Sequence, residues 1–114
     1  MYNYKAKITN VVDGDTFDFE IDLGFGITYA SRLRLYGVDT PEVRGSEREE
    51  GLRVKAHVKQ LIEGKQVGLT TRKWKGKYGR YIADVYPWGY GDEYDMWSLS
   101  RYLVEKGMAR KVDY

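Results

Sequence analysis

The sequence has no cysteine, one histidine (His57) and two prolines among its 114 residues. Without cysteine there can be no disulfide, no thiolate nucleophile and no cysteine-held zinc. A single histidine excludes a multi-histidine metal centre, so any metal here must be held by oxygen. No window approaches the ~20 apolar residues that a membrane span needs. The opening stretch, Met1 to Lys7, also lacks the apolar run of a signal peptide. The expectation is a chain with no membrane association, either cytoplasmic or secreted after processing. Nothing in the composition suggests a linker or a repeat. The length matches one domain over residues 1–114, since a domain usually takes ~100–200 residues.

What is present is a 42% hydrophobic share and a formal charge of +2. The first suffices for a modest core. The second is too small to imply nucleic acid by itself, but its distribution says more. From Gly64 to Ala83 there is no acid, while Lys65, Arg72, Lys73, Lys75, Lys77 and Arg80 all fall in that stretch. Trp74, Tyr78 and Tyr81 are interleaved with them. Cations mixed with aromatics suit phosphates and stackable bases. A solvated loop between strands would read the same way.

Periodicity supplies the fold. Phe17, Phe19, Ile21 and Leu23 alternate with Asp18, Glu20 and Asp22, the period-2 pattern of a half-buried strand. A turn at Gly24-Phe25-Gly26 leads into a strand from about Ile27 to Tyr36, with Leu33 and Leu35 on one face and Arg32 and Arg34 on the other. Lys5 to Val12 is predicted as the first strand, joined to the second through Asp13-Gly14. After Ser46 the spacing becomes helical: Val54, Val58, Leu61 and Ile62 share one face, Ser46 and Glu49 make a capping box, and Gly64 ends the helix. Gln66 to Thr71 and Arg80 to Tyr86 are predicted strands. Ser98 to Lys106 is a second helix, closed by Gly107. Five strands with a helix between the third and fourth predict a mainly β (α+β) fold, a five-stranded OB-type barrel with two helices.

The acids outside regular structure carry the chemistry. Asp13 and Asp15 fall in one inter-strand turn, and Asp39 and Glu42 in the loop Val38 to Glu42. Pro41 biases Thr40 away from helical backbone, leaving its carbonyl free of a helix ladder. Two carboxylates, a free carbonyl and water suit a hard divalent cation, with flexible Ca²⁺ the natural match. Each segment alone reads equally well as an ordinary turn. Arg34 and Arg80 add planar guanidiniums, which bind phosphate bidentately and stabilise charge growing on it. Surface ion pairing is the plain alternative for each. His57 lies on the long helix, away from these loops, where a surface or packing role is expected.

Taken together, Val12-Asp13-Gly14-Asp15-Thr16, Arg34-Leu35-Tyr36-Gly37-Val38-Asp39-Thr40-Pro41-Glu42 and Lys77-Tyr78-Gly79-Arg80 resemble the three signature segments of the staphylococcal nuclease (thermonuclease) family, in family order. Leu103 to Ala109 resembles that family's following helix and its exit. The resemblance implies Ca²⁺ held by Asp15, Asp39 and the Thr40 carbonyl, with Asp13 near the metal through water. It implies Glu42 as general base on the attacking water, and Arg34 and Arg80 as the phosphate clamp. Lys77 and Tyr78 would contact a terminal phosphate, and Leu35 and Ile82 would line a base pocket. The implied activity is hydrolysis of DNA and RNA to 3′-phosphate and 5′-hydroxyl ends, on single-stranded or locally melted substrate and with no obligate protein partner. A shorter loop at Val43-Arg44-Gly45, and Gly76 in place of an aspartate, depart from the best-known member. The alternative is a catalytically inactive barrel that binds nucleic acid or a protein partner; relatives of that kind lose the acids and arginines that are all present here.

Overall fold

Phe17, Phe19 and Ile21 are buried, and Asp18, Glu20 and Asp22 between them are half-buried or exposed, as the alternation requires. Leu23, the fourth of that apolar face, is instead exposed near the strand's end. The computed structural model describes residues 3–73, 80–87 and 98–112. In chain order these form β1 (Asn3–Asp13), β2 (Thr16–Gly24), β3 (Ile27–Leu35), the short β4 (Val38–Asp39), a 3₁₀ turn (Gly45–Glu47), α1 (Arg48–Ile62), β5 (Gln66–Lys73), β6 (Tyr81–Tyr86), α2 (Leu99–Glu105) and the short β7 (Arg110–Lys111).

Strands pair in the order β1-β2-β3-β6-β5 and close into a barrel, because β5 returns to pair with β1. Four of the five pairings are antiparallel. The fifth, β3 with β6, is parallel, and α1 with β5 provides the long connection that a parallel pairing needs. This is the OB-like α+β barrel that the periodicity predicts.

Inside it lie Ile8, Val11, Phe17, Leu33, Leu35, Leu69 and Val85, each at most 1% exposed. Val54, Val58 and Ile62 form the buried stripe of α1, which packs against β1. At roughly 1.5–3 kcal/mol per fully buried side chain, that stripe fixes the helix to the barrel without help from a cap. α2 is anchored by Leu99 and Leu103 and packs against β6.

Two expectations need correction at this level. Ser46 does not cap α1: it falls in the 3₁₀ turn, and the residue at the helix N-cap is Glu47, with no side-chain cap bond. The 3₁₀ turn moves the helix start past Ser46 to Arg48, and the Glu47 carboxylate accepts instead from the Glu42 backbone N–H at 3.0 Å. Nor is the Asp39 segment wholly a loop, because β4 pairs antiparallel with β7. Two-residue strands are too short for any periodicity to announce. The second helix behaves as read: the Ser98 hydroxyl accepts from Arg101 N–H at 3.1 Å, and Gly107 follows with φ +72°.

His57 has the packing role expected of it. Its ring stacks on Tyr102 at 5.9 Å, with Nε2 2.8 Å from the tyrosine hydroxyl, joining α1 to α2.

Candidate active site

Arg34 is the centre around which the distant acids meet. Its neighbours Leu33 and Leu35 point into the core, so strand alternation turns Arg34 outward, where its side chain is 17% exposed. Nη1 lies 2.6 Å from Asp15 Oδ2. Nη2 donates to Asp39 Oδ1 at 3.1 Å and to the Val38 carbonyl at 3.3 Å. One planar fork thus spans both acids, which come from separate segments of the chain.

Asp15 is only 6% exposed, and a carboxylate at that depth must be compensated on every side. It is. Oδ2 also accepts from the Thr40 backbone N–H at 3.1 Å, and Oδ1 from the Thr16 hydroxyl at 3.0 Å. Its backbone is held too, the Asp15 carbonyl accepting from Leu35 N–H at 2.8 Å. Asp39 is more open, and its second oxygen accepts from Arg110 Nη2 at 3.0 Å. That contact follows from the register of β4 on β7, which sets Asp39 directly opposite Arg110.

Two glycines permit the convergence by being small. A Cβ on Gly14 would lie 2.8 Å from Val54 Cγ1 and 3.0 Å from Thr40 Oγ1, so the β1–β2 turn can press onto Thr40 and α1 only without one. A Cβ on Gly51 of α1 would lie 2.0 Å from the Glu42 carbonyl oxygen. Glu42 therefore has α1 packed against its carbonyl and Glu47 bonded to its N–H, while the residue itself is exposed.

The remaining residues fall as follows. Asp13 ends β1, paired with Thr16, and its charge helps hold the Arg32 guanidinium protonated, behind the larger effect of the Asp18 hydrogen bond. Arg80 immediately precedes β6, in which Ile82 is the register partner of Arg34. Ile82 is 6% exposed. Leu35 is fully buried in the core and presents no surface of its own, against the expectation that it lines a pocket. Lys77 and Tyr78 lie outside the described residues. Of the cations in the acid-free stretch, Arg72 is engaged within the fold. Its Nε donates to the buried Asp84 at 2.7 Å, and the guanidinium lies 4.6 Å from the Tyr36 ring centroid. That hydrogen bond pushes the Arg72 guanidinium above its ordinary range.

Among the described residues, no group of three or more histidines, cysteines or acids could hold a metal. A hard cation would have to draw on two carboxylates and a carbonyl. Asp15, Asp39 and Thr40 fit that donor chemistry: both carboxylates already gather around one cationic group, and the Thr40 amide touches one of them. Thr40 Oγ1 is buried without a hydrogen-bond partner among the described residues, a polar atom that a hydrated ion could satisfy.

Sequence reasoning missed Gly51 and Arg110. A glycine inside a helix was the available signal for the first, since it costs about 1 kcal/mol against alanine and so marks a close approach. For Arg110 there was none.

Residues 32–114 match the model of the family described as staphylococcal nuclease homologue. No curated protein matches the chain. No helix among the described residues is long and apolar enough to cross a membrane.

Proposed function

Because the chain belongs to the staphylococcal nuclease family, whose members are nuclease-like or nucleic-acid-binding modules, we propose that it is an active nuclease. It hydrolyses phosphodiester bonds of DNA and RNA with Ca²⁺ as cofactor, leaving 3′-phosphate and 5′-hydroxyl ends. The observation that supports this best is the convergence of Asp15 and Asp39 on Arg34, with both acids and the arginine held by several partners.

In this reading Asp15, Asp39 and the Thr40 carbonyl hold the ion, and Asp13 acts on it through water. Bound Ca²⁺ supplies Lewis-acid polarisation of the phosphoryl oxygen, worth several kcal/mol. Arg34 and Arg80 grip the scissile phosphate through their planar forks and stabilise the charge that grows on it. Glu42 orients and deprotonates the attacking water, its backbone packed against Gly51 and hydrogen-bonded to Glu47. Lys77 and Tyr78 contact a terminal phosphate, and Ile82 lines the base pocket. The barrel grips one strand, so single-stranded or locally melted substrate is preferred.

The experiment is digestion of single-stranded DNA with and without Ca²⁺, followed by end-group analysis. Ca²⁺-dependent release of 3′-phosphate ends is expected. Binding without cleavage at saturating Ca²⁺ would favour the inactive module instead.

A further inference from the structure

Asp39 is gripped on both oxygens, by Arg34 at Oδ1 and by Arg110 at Oδ2. The two arginines differ. Arg34 is 17% exposed and shared with Asp15, whereas Arg110 is 79% exposed and reaches Asp39 from the solvent side. Beside them is a hollow of about 260 Å³, whose lining includes Asp39, Thr40, Glu47 and Glu50. Arg110 is the one cation lining it among the described residues. A positive charge therefore stands at the outer oxygen of a proposed metal ligand, in a hollow whose other charged lining residues are acidic.

Resting on the calcium reading of this site, we propose that Arg110 sets the site's cation affinity, competing with Ca²⁺ for Asp39 and holding the affinity down. Two opposing effects decide the sign. Arg110 could help by ordering Asp39, but Arg34 still holds Oδ1 when Arg110 is removed, and the β4–β7 pairing is made by peptide groups that a side-chain change leaves in place. Ordering a side chain changes affinity by about two- to tenfold, and Asp39, short and still restrained by Arg34, falls at the low end of that range. The repulsion is larger: charges of +1 and +2 roughly 6 Å apart in water shift an equilibrium by up to about tenfold. Salt screens part of this at physiological ionic strength, where the Debye length is about 8 Å. Repulsion wins.

The test is Ca²⁺ titration of the full chain by calorimetry, at low and high salt, for the parent and for Arg110→Ala, Arg110→Gln, Arg110→Lys and Arg110→Glu, with folding followed by circular dichroism. Arg110→Ala and Arg110→Gln should bind Ca²⁺ about three- to tenfold more tightly at low salt. Arg110→Lys should stay within about twofold of the parent and Arg110→Glu should bind tightest, with the differences shrinking at high salt. Unchanged affinity in the neutral variants would make Arg110 a plain surface pair and overturn the proposal. Weakened affinity, restored by lysine, would overturn it in favour of a positioning role. If the parent itself binds no Ca²⁺, and Asp39→Ala is indistinguishable from it, the calcium reading fails first.

Discussion

A Cβ on Gly51 would meet the carbonyl oxygen of Glu42 at 2.0 Å, so α1 and the segment bearing the proposed base are in contact through the absence of a side chain. Intrinsic propensity favours alanine over glycine in a helix by about 1 kcal/mol. Here the clash must push Glu42 or α1 aside. Gly51→Ala is therefore expected to lose about 1–3 kcal/mol in urea unfolding, the usual range for overpacking. Its turnover should fall further than the unfolded fraction explains. A stabilised, fully active variant would show that this contact does not position Glu42.

The arginines should separate from the general positive charge. Arg34→Lys and Arg80→Lys keep the charge but lose the planar fork, so kcat should drop by orders of magnitude. Lys73→Ala and Lys75→Ala should mainly weaken binding and lower its salt dependence. Equal kcat losses in both groups, measured by steady-state kinetics at several salt concentrations, would contradict the clamp.

Arg72 belongs to neither group. Its partner Asp84 is 5% exposed, and removing one member of such a pair strands a buried charge. Arg72→Met should cost about 1–3 kcal/mol of stability, with Ca²⁺ affinity unchanged. Arg72→Met with Asp84→Leu should recover much of that loss. No recovery in chemical denaturation would mean that the guanidinium acts mainly through its contact with Tyr36.

The Asp18–Arg32 pair ties stability to pH. The Arg32 hydrogen bond holds the Asp18 carboxyl below its ordinary value. A depressed folded pKa contributes stability above the unfolded value of about 3.9, and that stability is lost as pH falls through the folded pKa. Asp18→Asn should be less stable than the parent at pH 7 by at most about 1 kcal/mol, because the pair is largely solvated. The difference should vanish at pH values where the parent's Asp18 is also protonated. Urea midpoints that differ as much there as at pH 7 would mean the asparagine acts by some route other than charge.

The barrel was legible because burial imposes periods. Leu33 and Leu35 inside forced Arg34 outside, and the stripe Val54, Val58 and Ile62 announced α1. The meeting of Asp15 with Asp39 was not legible in that way, since no period links a turn to a distant loop; only the resemblance linked them. Gly14 was read as a turn former, yet its close approach to Thr40 and Val54 depends on contacts that no local pattern encodes. Ser46 misled because the capping pattern does not register the 3₁₀ turn Gly45–Glu47, which shifts the start of α1 to Arg48. Arg110 was invisible for a related reason: its role depends on β4 and β7, which are too short to show a pattern.

Glu42 carries the central claim. Asp15→Ala and Asp39→Ala should weaken Ca²⁺ affinity and, with it, the joint binding of an inhibitory nucleotide. Glu42→Gln keeps the size and one oxygen but removes the charge and basicity needed to activate water. The deciding measurement is calorimetric titration of Glu42→Gln with Ca²⁺ and nucleotide, set beside its kcat. Near-parental binding with turnover reduced ~10²–10⁴-fold is the predicted result. Intact turnover, or abolished Ca²⁺ binding in a folded protein, would contradict the role assigned to this residue.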